Sequence, residues 1–221
     1  MTTPPRLLVS VAGLAPGAAL DAAVALADAL DARRVPATLL AGARPHPEVV
    51  AWATSRRRVG DVVLLREEVP GRPYRRLPAH EAGLRLTAAL RARDALGLAV
   101  DGFAAPGWSV SAGTRAALAA AGLGLVLDDA GVHRLAGDGA LTTSWRGPVG
   151  GPGARRSRRR AEPALRHLAL DARTDPRLAG ALVDDALAEG ATPLGAGELV
   201  PRRAPRRPAA LGDPEHWSIT A

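Results

Sequence analysis

The sequence predicts a single α/β domain. Short apolar runs, typical of buried strands, alternate with longer Ala- and Leu-rich segments whose apolar residues recur every three or four positions. The chain has 221 residues, which is enough for one domain with a substantial core. Repeated strand–helix alternation implies parallel strands joined by right-handed crossovers. An open doubly wound sheet and a closed barrel both fit this pattern, and both place ligands at the carboxyl ends of the strands.

The predicted elements follow one another along the whole chain. We expect strands at residues 7–11, 37–41, 61–65, 99–104, 123–127 and 166–170, a last short strand within 192–199, and a pair of shorter strands near 132–135 and 141–145. We expect helices at residues 18–33, 46–55, 79–96, 111–121 and 176–189, with Ser111 as an N-cap and Gly122 as a C-cap.

Three segments lack hydrophobic periodicity and are predicted as loops or tail. Residues 66–78 form a polar loop rich in Arg and Pro, and residues 147–163 (GPVGGPGARRSRRRAEP) form a flexible Arg/Gly/Pro loop. The Pro/Arg-rich tail, residues 201–221, is expected to be disordered. The domain therefore spans residues 1–200.

Composition excludes several functional classes. There is no Cys, so disulfides, thiolate metal sites and a Cys nucleophile are excluded. No run of about 18 apolar residues exists to span a membrane. At the N-terminus, the single charge of Arg6 and the interruptions at Gly13 and Pro16 argue against a signal peptide, so we expect a cytoplasmic protein.

The positive charge predicts little about partners. All 29 basic residues are Arg and the net charge is +7, but the Arg, Ala, Gly and Pro bias is typical of GC-rich coding. The run RRSRRR, Arg155 to Arg160, would suit an anionic partner. It has no interleaved aromatic residues and no surrounding nucleic-acid motif, which favours a solvated basic loop. The sequence leaves the oligomeric state open.

Two motifs resemble those of the polysaccharide deacetylase-like superfamily of carbohydrate esterases. The segment GFAAPGWSVS, Gly102 to Ser111, followed by TRAALAAAGLGLVLDD, resembles the strand-four motif of an uncharacterised bacterial branch. The opening LLVSVAGLAP, Leu7 to Pro16, resembles that branch's first-strand motif, V-S-x-H-D-V-x-P. Element order and spacing agree over roughly residues 6–200. The resemblance implies a distorted (β/α)7 barrel of the glycoside hydrolase/deacetylase type.

The resemblance also implies a metal site that this chain has lost. An active member holds a divalent metal with one Asp and two His, and the metal activates a water for deacetylation. Here Ala12 replaces a His and Gly13 the metal Asp. Arg66 and Glu67 follow the third strand where the branch has L-H-G, and Asp171 stands at the late-strand His position. Ala and Gly offer no donor atom and Arg repels a cation, so we expect no metal, no cofactor and a degenerate member.

Several polar residues remain at the predicted mouth of the barrel. The candidate ligand-binding residues are Ser10, Arg66, Trp108, Ser109, Asp128 and Asp171, and the candidate catalytic residues are Asp171 and Glu67. Arg66 is expected either to form an ion pair with Asp171 or Asp128 or to bind a polar ligand such as a sugar. Trp108 is expected either to stack on a sugar ring or to plug the core. Asp128 and Asp129 are adjacent on a strand and should point opposite ways.

Three functional hypotheses follow. The first is a non-catalytic deacetylase-like protein that retains a site for a carbohydrate or small polar ligand. The second is a hydrolase that deacetylates a carbohydrate or similar N-acyl substrate, with zinc or another divalent metal held by rearranged ligands such as Asp171 with Glu67 or Asp128. The third is an interaction module that binds an anionic partner through the Arg-rich loop.

Overall fold

The structure is a computed structural model that describes residues 4–67, 74–136, 138–146, 149–150 and 165–199. The described part is one mixed α/β domain. Its strands are β1 (Arg6–Ala12), β2 (Ala37–Ala41), β3 (Val62–Leu65), β4 (Gly102–Ala104), β5 (Leu125–Asp128), β6 (Gly131–Leu135), β7 (Leu141–Arg146), β8 (Val149–Gly150), β9 (Leu165–Asp171) and β10 (Thr192–Pro193). Its helices are α1 (Ala18–Asp31), α2 (Pro47–Arg58), α3 (Ala79–Ala95), α4 (Ala112–Ala120) and α5 (Pro176–Ala188).

The strands form one sheet in the order β7-β6-β5-β4-β3-β2-β1-β9-β8. The run from β5 to β1 and on through β9 to β8 is parallel, as the strand–helix alternation predicted. The predicted pair of shorter strands is confirmed: β5, β6 and β7 form an antiparallel meander. Strand β10 pairs with the start of β1.

The sheet is strongly curled. Strands β7 and β8 stand at opposite ends of the strand order, yet β7 ends at Arg146 and β8 begins at Val149. Three residues of extended chain span at most about 11 Å. Because neighbouring strands lie about 4.8 Å apart, the two ends of this long sheet approach each other to within a few strand widths.

The two faces of the sheet have different partners. The convex face carries residues such as Val9, Leu39, Val63 and Phe103, which share one face through the strand register. They form two clusters with buried residues of all five described helices. Helix α2 contributes Ala53 to the first of these clusters. All five described helices therefore cover one face of the sheet, which excludes the doubly wound arrangement with helices on both faces.

The concave face encloses a third core cluster of its own. Leu8, Leu40, Leu64 and Val132 come from four strands spread across the sheet and are all buried. Burying these side chains against one another is possible only because the sheet curls around them. This interior leads to the carboxyl ends of the parallel strands, where the candidate residues lie.

Local signals set the helix boundaries. The predicted N-cap is confirmed, since Ser111 Oγ accepts a hydrogen bond of 2.9 Å from the Thr114 N–H. Gly122 follows α4 with φ of +75°, the left-handed conformation that ends helices. Asp175 caps α5 in the same manner as Ser111, by accepting from the Arg177 N–H.

Some predicted boundaries were wrong by several residues. Helix α2 runs three residues beyond the predicted end at residue 55, because the arginines 56–58 continue the helix although they break its apolar pattern. Strand β4 begins at Gly102 rather than at residue 99. In the predicted strand within 192–199, only Thr192 and Pro193 pair, and a 3-10 turn follows at Ala196–Leu199.

Two predicted segments fall largely outside the described residues. Of the predicted loop 147–163, the structure describes only residues 149–150, and there the loop prediction is wrong, because these two residues pair with β9 as strand β8. Arg155 to Arg160 lie outside the described residues. The predicted tail, 201–221, lies outside them entirely. Within the described ranges, no helix is both long and apolar enough to cross a lipid bilayer.

Candidate functional site

Four side chains make a continuous series of contacts on the concave face, from within β1 and β9 to the carboxyl ends of β3 and β4. Ser10 Oγ of β1 lies 2.8 Å from His167 Nε2 of β9. The His167 ring meets the Trp108 ring edge to face, with centroids 5.1 Å apart. The Arg66 guanidinium lies over Trp108, its Cζ atom 4.6 Å from the ring centroid. The concave face thus carries a polar pair covered by an aromatic ring and a cation.

The Ser10–His167 pair is too buried and too weakly basic for nucleophilic catalysis. Ser10 is fully buried and His167 is 2% exposed. Burial, reinforced by the nearby Arg66 charge, lowers the pKa of His167 to about 3. A general base works best with a pKa near the operating pH, so this imidazole is a poor acceptor for the serine proton. We interpret the pair as a structural hydrogen bond.

Trp108 has a strained backbone that aims its side chain at the interior. It ends the 3-10 turn Pro106–Trp108 with φ of +57°, a conformation that non-glycine residues rarely adopt. Its carbonyl accepts a hydrogen bond of 2.7 Å from the Asp129 N–H. Gly107 also has positive φ and permits the turn. Strain of this kind is retained where the surroundings over-determine a conformation, and it is often found at ligand sites.

Asp171 and Gly13 meet at the end of β1. Ala12 is paired with Asp171 in the sheet register, and a Cβ atom added to Gly13 would lie 2.5 Å from Asp171 Oδ2. Gly13 also has φ of +74°. Asp171 is exposed, and its Oδ1 accepts a hydrogen bond of 2.9 Å from the Arg173 N–H, as in a turn. Gly13 therefore leaves a space beside β1 that the Asp171 carboxylate fills.

Asp128 lies away from the other candidates. The register pairs Val126, on the helix-covered face, with His133, and Asp128 Oδ1 lies 2.9 Å from His133 Nε2. Asp128 also accepts from the Ala130 N–H. Asp128 therefore lies on the convex face, whereas Ser10 and His167 lie on the concave face. Its hydrogen bond to Ala130 stabilises the β5–β6 turn. The expected ion pair of Arg66 with Asp128 or Asp171 is absent among the described side chains, and Arg66 covers Trp108 instead.

The remaining candidates lie near the mouth with local roles. Glu67 Oε2 accepts a hydrogen bond of 2.5 Å from the Tyr74 hydroxyl. Burial, with Glu67 beside it, raises the pKa of that tyrosine. Ser109 is half-buried and directly follows the strained Trp108. Neither residue contacts the Ser10–His167 pair directly.

Sequence reasoning missed His167, although a signal was present. Strand β9 places residues 167, 169 and 171 on one face, because side chains alternate along a strand. Asp171 was predicted at the mouth, so its face also had to carry His167 into the interior. The partnership with Ser10, 157 residues away along the chain, had no sequence signal.

The residues that end β1 and β3 offer few side-chain donor atoms for a metal ion. Ala12 and Gly13 supply no side-chain donor, and Arg66 supplies a cation. Within the ranges that the structure describes, no three His, Asp or Glu side chains are grouped so that they could hold an ion.

No protein-family model matches the chain, and no curated protein matches it.

Proposed function

We propose that this chain is a deacetylase-like distorted (β/α)7 barrel that binds a carbohydrate or another small polar ligand without catalytic metal chemistry. The observation that carries the proposal is Trp108, held in a strained conformation at the mouth between Arg66 and His167. The exposed part of this half-buried indole, with the Arg66 guanidinium over its ring, offers an apolar contact surface and hydrogen-bond donors, which are the groups that recognise a sugar.

Three features support the deacetylase-like part of the proposal. The parallel strands run in chain order from β1 to β5, and all five described helices lie on the convex face. The motif around Pro106 and Trp108 lies at the carboxyl end of β4. The residues aligned with the family's ligands, Gly13 and Asp171, meet at the carboxyl ends of neighbouring strands.

The chemistry of the mouth opposes the hydrolase alternative. Deacetylation by the family mechanism needs a metal held by about three protein ligands. Here Asp171 accepts from the Arg173 N–H and Glu67 from the Tyr74 hydroxyl. Asp128 bonds His133 on the opposite face of the sheet. The alternative metal ligands that the sequence suggested, Asp171, Glu67 and Asp128, therefore belong to three separate hydrogen-bond networks.

The test is calorimetric titration of the full chain with a trimer of N-acetylglucosamine. Substitution Trp108→Ala should weaken binding at least about fivefold, since it removes the apolar contact surface of the indole. Trp52→Phe is the matched control, because Trp52 packs against the convex-face cluster and should leave the affinity unchanged. Equal affinity of the two variants would exclude Trp108 from the site.

Metal analysis tests the non-catalytic part separately. Protein equilibrated with zinc and then dialysed should retain far less than one equivalent, and it should release no acetate from the trimer. Stoichiometric zinc together with acetate release would contradict the proposal and support the hydrolase alternative.

A further inference from the structure

Arg93 is a buried cation that lies behind the carboxyl end of β2. It belongs to the last turn of α3, and its exposed fraction is 0%. Burial lowers the pKa of Arg93 to about 10, so the group is still charged at neutral pH. Arginine is almost never fully buried unless it is paired, because desolvation of a charge is unfavourable. Full burial of this guanidinium therefore disfavours the folded state.

The hydrogen bonds of Arg93 are few, and all of them reach the end of one strand. Its Nη1 atom donates to the carbonyl oxygens of Ala41, at 3.2 Å, and of Gly42, at 3.0 Å. Its Nε and Nη2 atoms have no hydrogen-bond partner within the residues that the structure describes. A cation in the last turn of a helix can bond the final carbonyls of its own helix. Arg93 bonds the end of β2 instead.

The two carbonyl groups do not need the guanidinium in order to be satisfied. The Ala41 carbonyl oxygen also accepts a hydrogen bond of 2.9 Å from the Arg66 N–H. Gly42 is exposed, so water can replace Arg93 at its carbonyl. An apolar side chain at position 93 would remove the buried charge and its two unpartnered donors, and it would leave neither acceptor buried and unpaired. The stability of the fold therefore gives no reason for an arginine here.

The contact that Arg93 makes leads to the mouth. The Ala41 carbonyl joins the end of β2 to the backbone of Arg66, which directly follows β3. The Arg66 guanidinium lies over the Trp108 ring, with Cζ 4.6 Å from the ring centroid. Trp108 has a backbone φ of +57° and covers His167. Arg66 therefore connects the carbonyl that Arg93 holds to the strained indole.

We propose that Arg93 is a positioning residue, which fixes the ends of β2 and β3 so that Arg66 holds Trp108 in its conformation at the mouth. The purpose of this placement rests on the proposed sugar site, but the placement itself can be measured without a ligand. A role in stability alone predicts the opposite pattern, in which loss of the guanidinium weakens the fold and leaves Trp108 where it is.

The test compares Arg93→Met with Arg91→Met in the full chain. Methionine is unbranched and apolar, and Arg91 is an exposed position on the same helix. Arg93→Met should unfold at a urea concentration no lower than wild type, yet it should move the NMR signal of the Trp108 indole N–H, which the variant Trp108→Phe identifies. It should also weaken binding of the N-acetylglucosamine trimer about fivefold. Arg91→Met should leave all three measurements unchanged.

Arg93→Lys is the conservative variant. Lysine keeps a buried cation with donors for the same two carbonyl oxygens, so the Trp108 signal should stay close to its wild-type position. This comparison separates the loss of the donor from any change in packing around α3.

Each result decides the proposal. It is overturned by an unmoved Trp108 signal in Arg93→Met, by an equal movement in Arg91→Met or Arg93→Lys, or by a lower urea midpoint of Arg93→Met. It is also overturned if wild type binds the trimer and Arg93→Met binds it equally well. If wild type does not bind the trimer, a moved Trp108 signal would support the positioning role and contradict only the proposed function.

Discussion

At the scale of single residues, buried polar groups define the interior of this protein. Ser10 and His167 share a hydrogen bond where neither can reach water, and Trp108 covers them. Removing either partner would leave the other unsatisfied, which typically costs about 1–3 kcal/mol. The pair therefore links β1 to β9 through side chains as well as through the backbone.

His167 should make the stability depend on pH. Its folded-state pKa of about 3 lies below its ordinary value of 6.5. Between these two pH values, His167 binds a proton in the unfolded chain but not in the folded chain. The stabilisation is fully present above pH 6.5 and is lost as pH falls toward 3. From pH 7.5 to pH 5, we expect the free energy of unfolding to fall by about 2 kcal/mol through this group.

Urea unfolding at a series of pH values measures this effect. The substitution His167→Gln keeps a side chain able to bond Ser10 but cannot titrate, so it should remove this part of the slope. His80→Gln, at an exposed position near the start of α3, is the matched control and should keep the wild-type slope. If the free energy of unfolding of His167→Gln and of wild type changed with pH in parallel, His167 would not be a histidine that folding holds neutral.

At the scale of elements, one arginine connects α1, α2 and the start of β3. The Arg56 guanidinium donates to both carboxylate oxygens of Asp31, at 2.6 and 2.8 Å, and to Asp61 Oδ2 at 2.6 Å. Asp61 Oδ1 also accepts from the Ala37 N–H at the start of β2. Burial raises the pKa of Asp61 although Arg56 opposes the rise, whereas Arg56 lowers the pKa of the exposed Asp31.

We expect Arg56→Gln to destabilise the fold by about 3 kcal/mol. The Asp61 side chain is 3% exposed, so removing its cation leaves a buried carboxylate without a counter-charge. Arg58→Gln removes the same charge from an exposed position on α2 and should stay within about 0.5 kcal/mol of wild type. Chemical denaturation at neutral pH measures both, and similar values for the two variants would contradict this role of Arg56.

At the scale of the whole molecule, the curl of the sheet creates a second core. The helices bury the convex face, whereas the concave face is buried by its own side chains across the interior. The interior cluster joins residues of seven strands, among them Leu8 of β1, Leu64 of β3 and Val132 of β6. The stability of the domain therefore depends on the curl of the sheet as well as on helix packing.

Truncation of an interior leucine tests this second core. Leu64→Ala should destabilise the protein by about 2–5 kcal/mol, because Leu64 is fully buried on the concave face. Leu84→Ala makes the same chemical change on α3, where the leucine is 61% exposed, and should change stability by less than about 0.5 kcal/mol. Thermal and urea unfolding compare the two, and a mild effect of Leu64→Ala would indicate a concave face open to water.

The sequence alone was sufficient to predict the local structure. Hydrophobic period, caps and breakers placed all five described helices and the parallel strands other than β8 in order, because these signals act between residues a few positions apart. The predicted ends of some elements were wrong where local signals conflict. Helix α2, for example, continues through Arg56 after the apolar pattern of the helix has stopped. The mouth residues Arg66 and Trp108 could also be predicted, since any parallel α/β sheet gathers its strand ends at one edge.

Only the tertiary structure decided which side chains meet. Strand register places Asp128 and His133 on the convex face, and it brings Ser10 against His167 across most of the chain length. The choice of a curled sheet over a doubly wound one likewise depends on how strands far apart in sequence pair and on which face the helices lie. Pairing of this kind follows from burial over the whole domain, and no short stretch of sequence encodes it.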